Sequence, residues 1–247
     1  MDKIALVTGA GSGIGREIAL RLAATGAIVL VNYSKSEEKA EGVVADIERE
    51  GGRSRAFRAD VTDEGEVEEI FALISDLFPH LDYLVNNAGI DIPRPIESCP
   101  VDSWRRVIDV NLTGKFLTTK HAAPLLKRAS KASIVNIASR LAWKPLQDAG
   151  AYCCAASAVV MLTRCAALEL APYGIRVNAV CPGLTRTPLT EGIYPEEAFW
   201  VRAAGSNPLK RAGLPGDAAR ASLFLLSEEA EYINGAHLVV DGGSMLR

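Results

Sequence analysis

The chain has 247 residues, 49% of them hydrophobic, 23% charged and 6% aromatic, with a formal net charge of −3. That length suits one or two domains and buries a core without a disulfide or metal staple, and the composition excludes a disordered chain, a collagen or a coiled coil. The slightly acidic, interspersed charge argues against nucleic acid or an anionic membrane as the main partner.

From the N-terminus, Ile4–Thr8 reads as a strand, and no signal-peptide pattern precedes it. Helix Ile14–Ala24, strand Ile28–Asn32, helix Glu37–Glu50, strand Arg55–Ala59, helix Glu64–Leu77 and strand Tyr83–Asn86 follow. The second half repeats the rhythm with helix Ser103–Arg128, strand Ser133–Ile137, helix Ala151–Ala171, strand Arg176–Cys181, helix Asp217–Leu226 and strand His237–Val240. The strands are short, rich in Val, Ile and Leu, and lack period-two alternation, as strands covered on both faces do. Strand–helix–strand repetition predicts parallel pairing with right-handed crossovers, hence a doubly wound α/β sheet in a single domain over residues 1–247. Residues 183–215 break the rhythm and carry Pro188, Pro195, Pro208 and Pro215. A connection of that length predicts a substrate lid. No long uninterrupted apolar run suggests a membrane span, and a cytoplasmic location is expected.

Five cysteines stand at 99, 153, 154, 165 and 181, and the three histidines are scattered. An odd count without C-x-x-C fits neither a disulfide framework nor a metal site, so reduced, packed thiols and no metal are expected.

The first strand runs into Thr8-Gly9-Ala10-Gly11-Ser12-Gly13-Ile14-Gly15 and then directly into a helix. Glycines there permit a tight turn and close approach to a pyrophosphate, and the helix N-terminus offers free N–H groups to it. This T-G-x-x-x-G-I-G pattern resembles the short-chain dehydrogenase/reductase family. Asp60-Val61, Asn86-Asn87-Ala88-Gly89, Asn111, Ser139, Tyr152, Pro182-Gly183 and Asp241-Gly242-Gly243 follow in the family's order, with Tyr152 13 positions after Ser139. The chain looks most like 3-oxoacyl-carrier-protein reductases and glucose dehydrogenases. The resemblance implies a Rossmann-type sheet of seven parallel strands, a nicotinamide cofactor, a small carbonyl or alcohol substrate and a homotetramer. Its cofactor residues would be Gly9, Ser12, Gly13, Ile14, Gly15, Asp60, Val61, Asn87, Gly89, Tyr152, Pro182, Gly183, Thr185 and Thr187.

A carboxylate at the end of the second strand would read the ribose hydroxyls of NAD. That strand instead ends Val31-Asn32-Tyr33-Ser34-Lys35. Ser34 and Lys35 suit a 2′-phosphate, so NADP(H) is favoured over NAD(H).

The resemblance assigns Ser139 to the carbonyl oxygen, the Tyr152 phenol to proton donation and Asn111 to a water in the proton path. It also calls for Tyr-x-x-x-Lys, and position 156 is alanine. Positions i and i+4 share a helix face, and a cation there would lower the phenol's pKa. Three readings stay open: a substitution in an otherwise ordinary enzyme, another cation (Arg140 or Lys144) in the lysine's place, or a dinucleotide-binding protein without turnover. On the first, Ala156→Lys is expected to raise activity by roughly 10²-fold.

Overall fold

The structure, a computed structural model, describes residues 2–246. Arg247, the last residue of a C-terminal segment from Gly235 expected at a subunit contact, lies outside the described residues. Seven strands, β1 (Ile4–Val7), β2 (Ile28–Tyr33), β3 (Arg53–Arg58), β4 (Tyr83–Asn86), β5 (Ala132–Ile137), β6 (Ile175–Pro182) and β7 (His237–Val240), form one sheet. The order is β3-β2-β1-β4-β5-β6-β7 and every pairing is parallel. All carboxyl ends therefore share one edge, and the order reverses between β1 and β4, where such sheets open a crevice.

Because side chains alternate across a strand, each strand feeds two cores. Ile4, Leu6, Leu84, Ile134 and Val177 pack under α3 (Glu64–Leu77), α5 (Gly114–Leu126) and α6 (Gly150–Leu170). Ala5, Val7, Val85, Val135 and Val180 pack under α1 (Gly13–Ala24), α2 (Glu37–Arg49) and α9 (Pro215–Leu226). Two-sided burial removes the polar face, which is why the strands read as continuous apolar runs. β3 is the exception: as an edge strand it carries Arg53, Arg55 and Arg58, all exposed. Charge on an edge blocks pairing with another sheet.

Three expectations are corrected. The helix read as Ser103–Arg128 is α4 (Val101–Ile108), a π-type turn over Asp109–Thr113, and α5. The 183–215 stretch contains two helices, α7 (Pro188–Ile193) and α8 (Glu197–Ser206). Its prolines punctuate these helices, with Pro188 opening α7, a position that needs no N–H donor. Finally, Gly150–Tyr173 is long and apolar enough to cross a membrane, although scattered polar residues interrupt its apolar runs. Here half of its apolar window is buried inside the protein, with Ala155, Val159, Ala166 and Ala167 buried.

Candidate active site

A cleft of about 320 Å³ opens at the carboxyl edge, above the β1–β4 crevice. It is built by stitching the ends of β1 and β4, and of β2 and β3, together. The Thr8 hydroxyl accepts from the backbone N–H of Asn87 (2.9 Å) and of Ala88 (3.0 Å). Asn87 Nδ2 returns the tie to the carbonyls of Thr8 (3.0 Å) and Gly9 (3.1 Å). Asn32, buried at the end of β2, donates to the Ala59 carbonyl (3.1 Å). Short amides hold this rim rigid, because each satisfies backbone groups that leave the sheet ladder unpaired.

The glycine loop lies along one wall. Gly13 has φ +57°, a left-handed conformation that L side chains rarely adopt, and its Cβ direction faces Thr187 across the cleft. Ser12 precedes α1 without capping it, and no acid lies in the helix's first turn. The leading N–H groups and positive dipole end of α1 are thus left for an anion. Together with the open cleft, this fits a pyrophosphate and hence a nicotinamide dinucleotide. Gly9, Ser12, Gly13, Ile14, Ser34, Asp60, Val61, Asn87, Gly89, Tyr152, Pro182, Gly183, Thr185 and Thr187 all line the cleft as expected.

Two expected residues do not. Gly15 faces away from the cleft: a Cβ there would run into Asn87 Nδ2 and sit 2.7 Å from the Gly9 carbonyl oxygen. It lets α1 close against the β4 loop. Lys35 is exposed past the end of β2, outside the lining. Lys39 of α2 comes closer, its Cβ 3.3 Å from where a Gly11 side chain would begin.

At the other end stand Ser139, Tyr152, Asn111 and Ala156, all lining the same cleft. Ser139 follows β5, is buried, and its Oγ accepts the Leu141 N–H (3.1 Å). Tyr152 occupies the first turn of α6. Burial, then the charge of Asp91, pushes its phenol up to about 12, while the Ser139 side chain opposes the rise. A protonated phenol that shares a cleft with a hydroxyl can donate to a carbonyl oxygen that the hydroxyl orients. The Asn111 amide is already committed: Nδ2 donates to the Ile90 carbonyl (2.7 Å) and Oδ1 accepts from the Ile90 N–H (2.9 Å). Its side chain therefore ties the π-type turn to the loop after β4, and any water would have to meet another atom.

Among the described residues the cations of the lining are Arg106 and Lys115. Burial works against the Asp60 carboxyl, yet hydrogen bonds from Thr62 and from Arg106 hold it below its ordinary value. Lys115 is 4% exposed and donates to the carbonyls of Asn86 (3.1 Å) and Ala88 (2.8 Å). The motif pattern does not single it out; its one signal in the sequence is a lysine one helical turn after Asn111. Arg140 and Lys144, the candidate stand-in cations, are not in the lining, and Lys144 Nζ donates to the Ser244 carbonyl (3.1 Å).

Trp143, Leu146, Ile193, Tyr194, Phe199 and Trp200 have the composition of a substrate wall, but none lines this cleft. Tyr194 and Phe199 stack with centroids 4.0 Å apart, Trp200 donates to the Tyr194 carbonyl (3.0 Å), and Trp143 packs on His237. The 183–215 stretch touches the cleft instead through Gly183, Thr185 and the run from Thr187 to Thr190.

Residues 9–245 match the family described as enoyl-(acyl carrier protein) reductase. The chain is 38% identical over 241 residues to 2,5-dichloro-2,5-cyclohexadiene-1,4-diol dehydrogenase from Sphingobium indicum, covering 98% of this chain and 95% of that one. It is 40% identical over 243 residues to 3-oxoacyl-[acyl-carrier-protein] reductase from Staphylococcus aureus, covering 98% of each. Its fold is similar to aldohexose dehydrogenase of Thermoplasma acidophilum, with a TM-score of 0.91 at 36% identity, over 100% of this chain and 95% of that one.

Proposed function

Because this chain belongs to the short-chain dehydrogenase/reductase family, we propose that it interconverts a small-molecule carbonyl and a secondary alcohol, with Ala156 standing where the family's pattern carries lysine. The observation that carries this reading is that Ser139 and the Tyr152 phenol line the same cleft that the glycine loop opens. A bound nicotinamide would supply or take up the hydride. The protein's own part is to orient and protonate. Ser139 holds the carbonyl oxygen, and Tyr152, protonated throughout the neutral range, donates to it in reduction. In oxidation the phenol must first lose that proton, so the alcohol direction quickens as pH rises. NADP(H) is preferred over NAD(H): Ser34 stands at the end of β2, Lys39 beside the glycine loop, and the carboxylate in the lining, Asp60, is engaged by Thr62 and Arg106. The protein works in the cytoplasm as a homotetramer, without nucleic acid or membrane.

The test is fluorescence titration with NADPH and NADH, then turnover on a panel of cyclic and aliphatic ketones and their alcohols. Binding of NADPH tighter than NADH, with turnover reduced at least 10²-fold by Tyr152→Phe, is the expected result. Ala156 favours a second reading, a dinucleotide-binding protein without turnover, because α6 then presents a buried methyl group where a cation would serve the phenol. Cofactor binding without turnover on any member of the panel selects that reading.

A further inference from the structure

We propose that Lys115 is the cation of this site, acting from α5 on the dinucleotide that the cleft would hold. The proposal rests on the oxidoreductase reading above and deepens it. Lys115 lines the cleft together with Ser139, Tyr152, Asn111 and Ala156. Its ammonium has three N–H bonds and gives two of them to the Asn86 and Ala88 carbonyls, both on the rim of the cleft. No carboxylate pairs with it among the described residues, whereas Arg106, the other cation of the lining, is held by Asp60 and Thr62. A buried ammonium that meets only carbonyls is costly, and burial lowers Lys115 to about 7. Packing alone would be served better by an apolar residue. What repays the burial is a ligand with anionic or hydrogen-bond-accepting groups that arrives later, the dinucleotide. Ala156 leaves the space on the α6 side open, being buried and ending at a methyl group.

Of the other groups around this part of the cleft, burial raises the Asp91 carboxyl that acts on Tyr152, and Lys115→Met retains it, so a pH dependence that survives in that variant belongs to Asp91. Tyr152 and Cys181 are pushed up to about 12, Asp60 is held low, and the Arg106 guanidinium stays charged. NADH itself has no group that titrates between about pH 6 and 9, which makes it the cleaner probe.

Three forms of the full chain are titrated with NADH at pH 6 and pH 9: wild type, Lys115→Met and Lys115→Met/Ala156→Lys. Lys115→Met retains the stem volume while removing the charge. The wild type is expected to bind roughly tenfold more weakly at pH 9 than at pH 6, as the lysine loses its proton. Lys115→Met is expected to bind weakly at both, and Ala156→Lys made on top of it to recover binding. At pH 6, where the Lys115 ammonium is present, Ala156→Lys alone should tighten NADH binding less than threefold. Binding by the wild type that is flat in pH, or equal binding by Lys115→Met, overturns the proposal while leaving the oxidoreductase reading standing. Absence of any dinucleotide binding by the wild type overturns both. Should Lys115→Met not fold, a flat wild-type pH dependence still overturns the proposal.

Discussion

At the scale of single residues, the two ends of the chemistry are set by burial. Tyr152 is raised to about 12 and Lys115 lowered to about 7, in each case because burial penalises the charged form. For Lys115 this has a stability consequence with a definite sign. Between about pH 7 and 10.5 the unfolded chain holds the proton and the folded chain does not, so stability rises with pH across that window. Every tenfold loss of proton affinity on folding corresponds to about 1.4 kcal/mol. Lys115→Met is therefore expected to be more stable than the wild type at pH 7, with the advantage shrinking toward pH 10. Denaturant titrations of both proteins at several pH values read it out. A lysine that merely braces the Asn86 and Ala88 carbonyls would show the opposite, a loss of stability on replacement.

At the scale of elements, junctions carry the design. Gly15→Ala forces a Cβ into the Asn87 amide and the Gly9 carbonyl, which both belong to the rim. It is expected to cost about 1–3 kcal/mol, typical of overpacking, and to weaken dinucleotide binding along with thermal stability. At α9, Asp217 accepts from the Leu214 N–H (2.9 Å) and pairs with Arg211 and Arg220. The Arg211 hydrogen bonds hold its carboxyl down to about 2. A carboxyl depressed in the folded state contributes stability above its unfolded pKa and loses it as pH falls through the folded value. Asp217→Asn should thus lower stability at pH 7 by about 1–2 kcal/mol, with the gap to the wild type closing by pH 2. The 183–215 stretch, by contrast, is held by its own aromatic stack and by exposed pairs from Arg186 to Glu191 and Glu197. Those pairs are screened by salt, so amide exchange in Pro188–Ser206 is expected to speed up in high salt while the sheet stays protected.

For the molecule as a whole, the expected homotetramer needs an exposed apolar surface. Ala155, Val159, Ala166 and Ala167 face inward, whereas Phe116 on α5 and Met161 and Leu168 on α6 are exposed, Leu168 at 79%. Exposed apolar side chains on two long helices are suited to meeting another copy. Light scattering at micromolar concentration should give a tetramer of the 26.3 kDa chain, and Met161→Glu/Leu168→Glu should break it into smaller species. A monomeric wild type would remove this expectation.

The sequence by itself determined the seven strands, their parallel pairing and most of the cleft lining. The reason is that two-sided burial, glycine at the β1–α1 turn and ordered polar residues at strand ends each leave a local mark. Tyr152, Ser139 and the glycine loop could be placed in the cleft because each belongs to a motif of short span along the chain. Lys115, the tie from Asn111 to Ile90, the outward turn of Lys35 and the packing of the aromatics in the 183–215 stretch could not. Each depends on which elements, far apart in the chain, approach one another. Lys115 reaches the Asn86 and Ala88 carbonyls only because α5 crosses beneath the end of β4. A residue's partners across that distance are set by packing of the sheet and its two helical layers, and it is packing that decides whether a lysine is a solvated charge or a buried cation in a cleft.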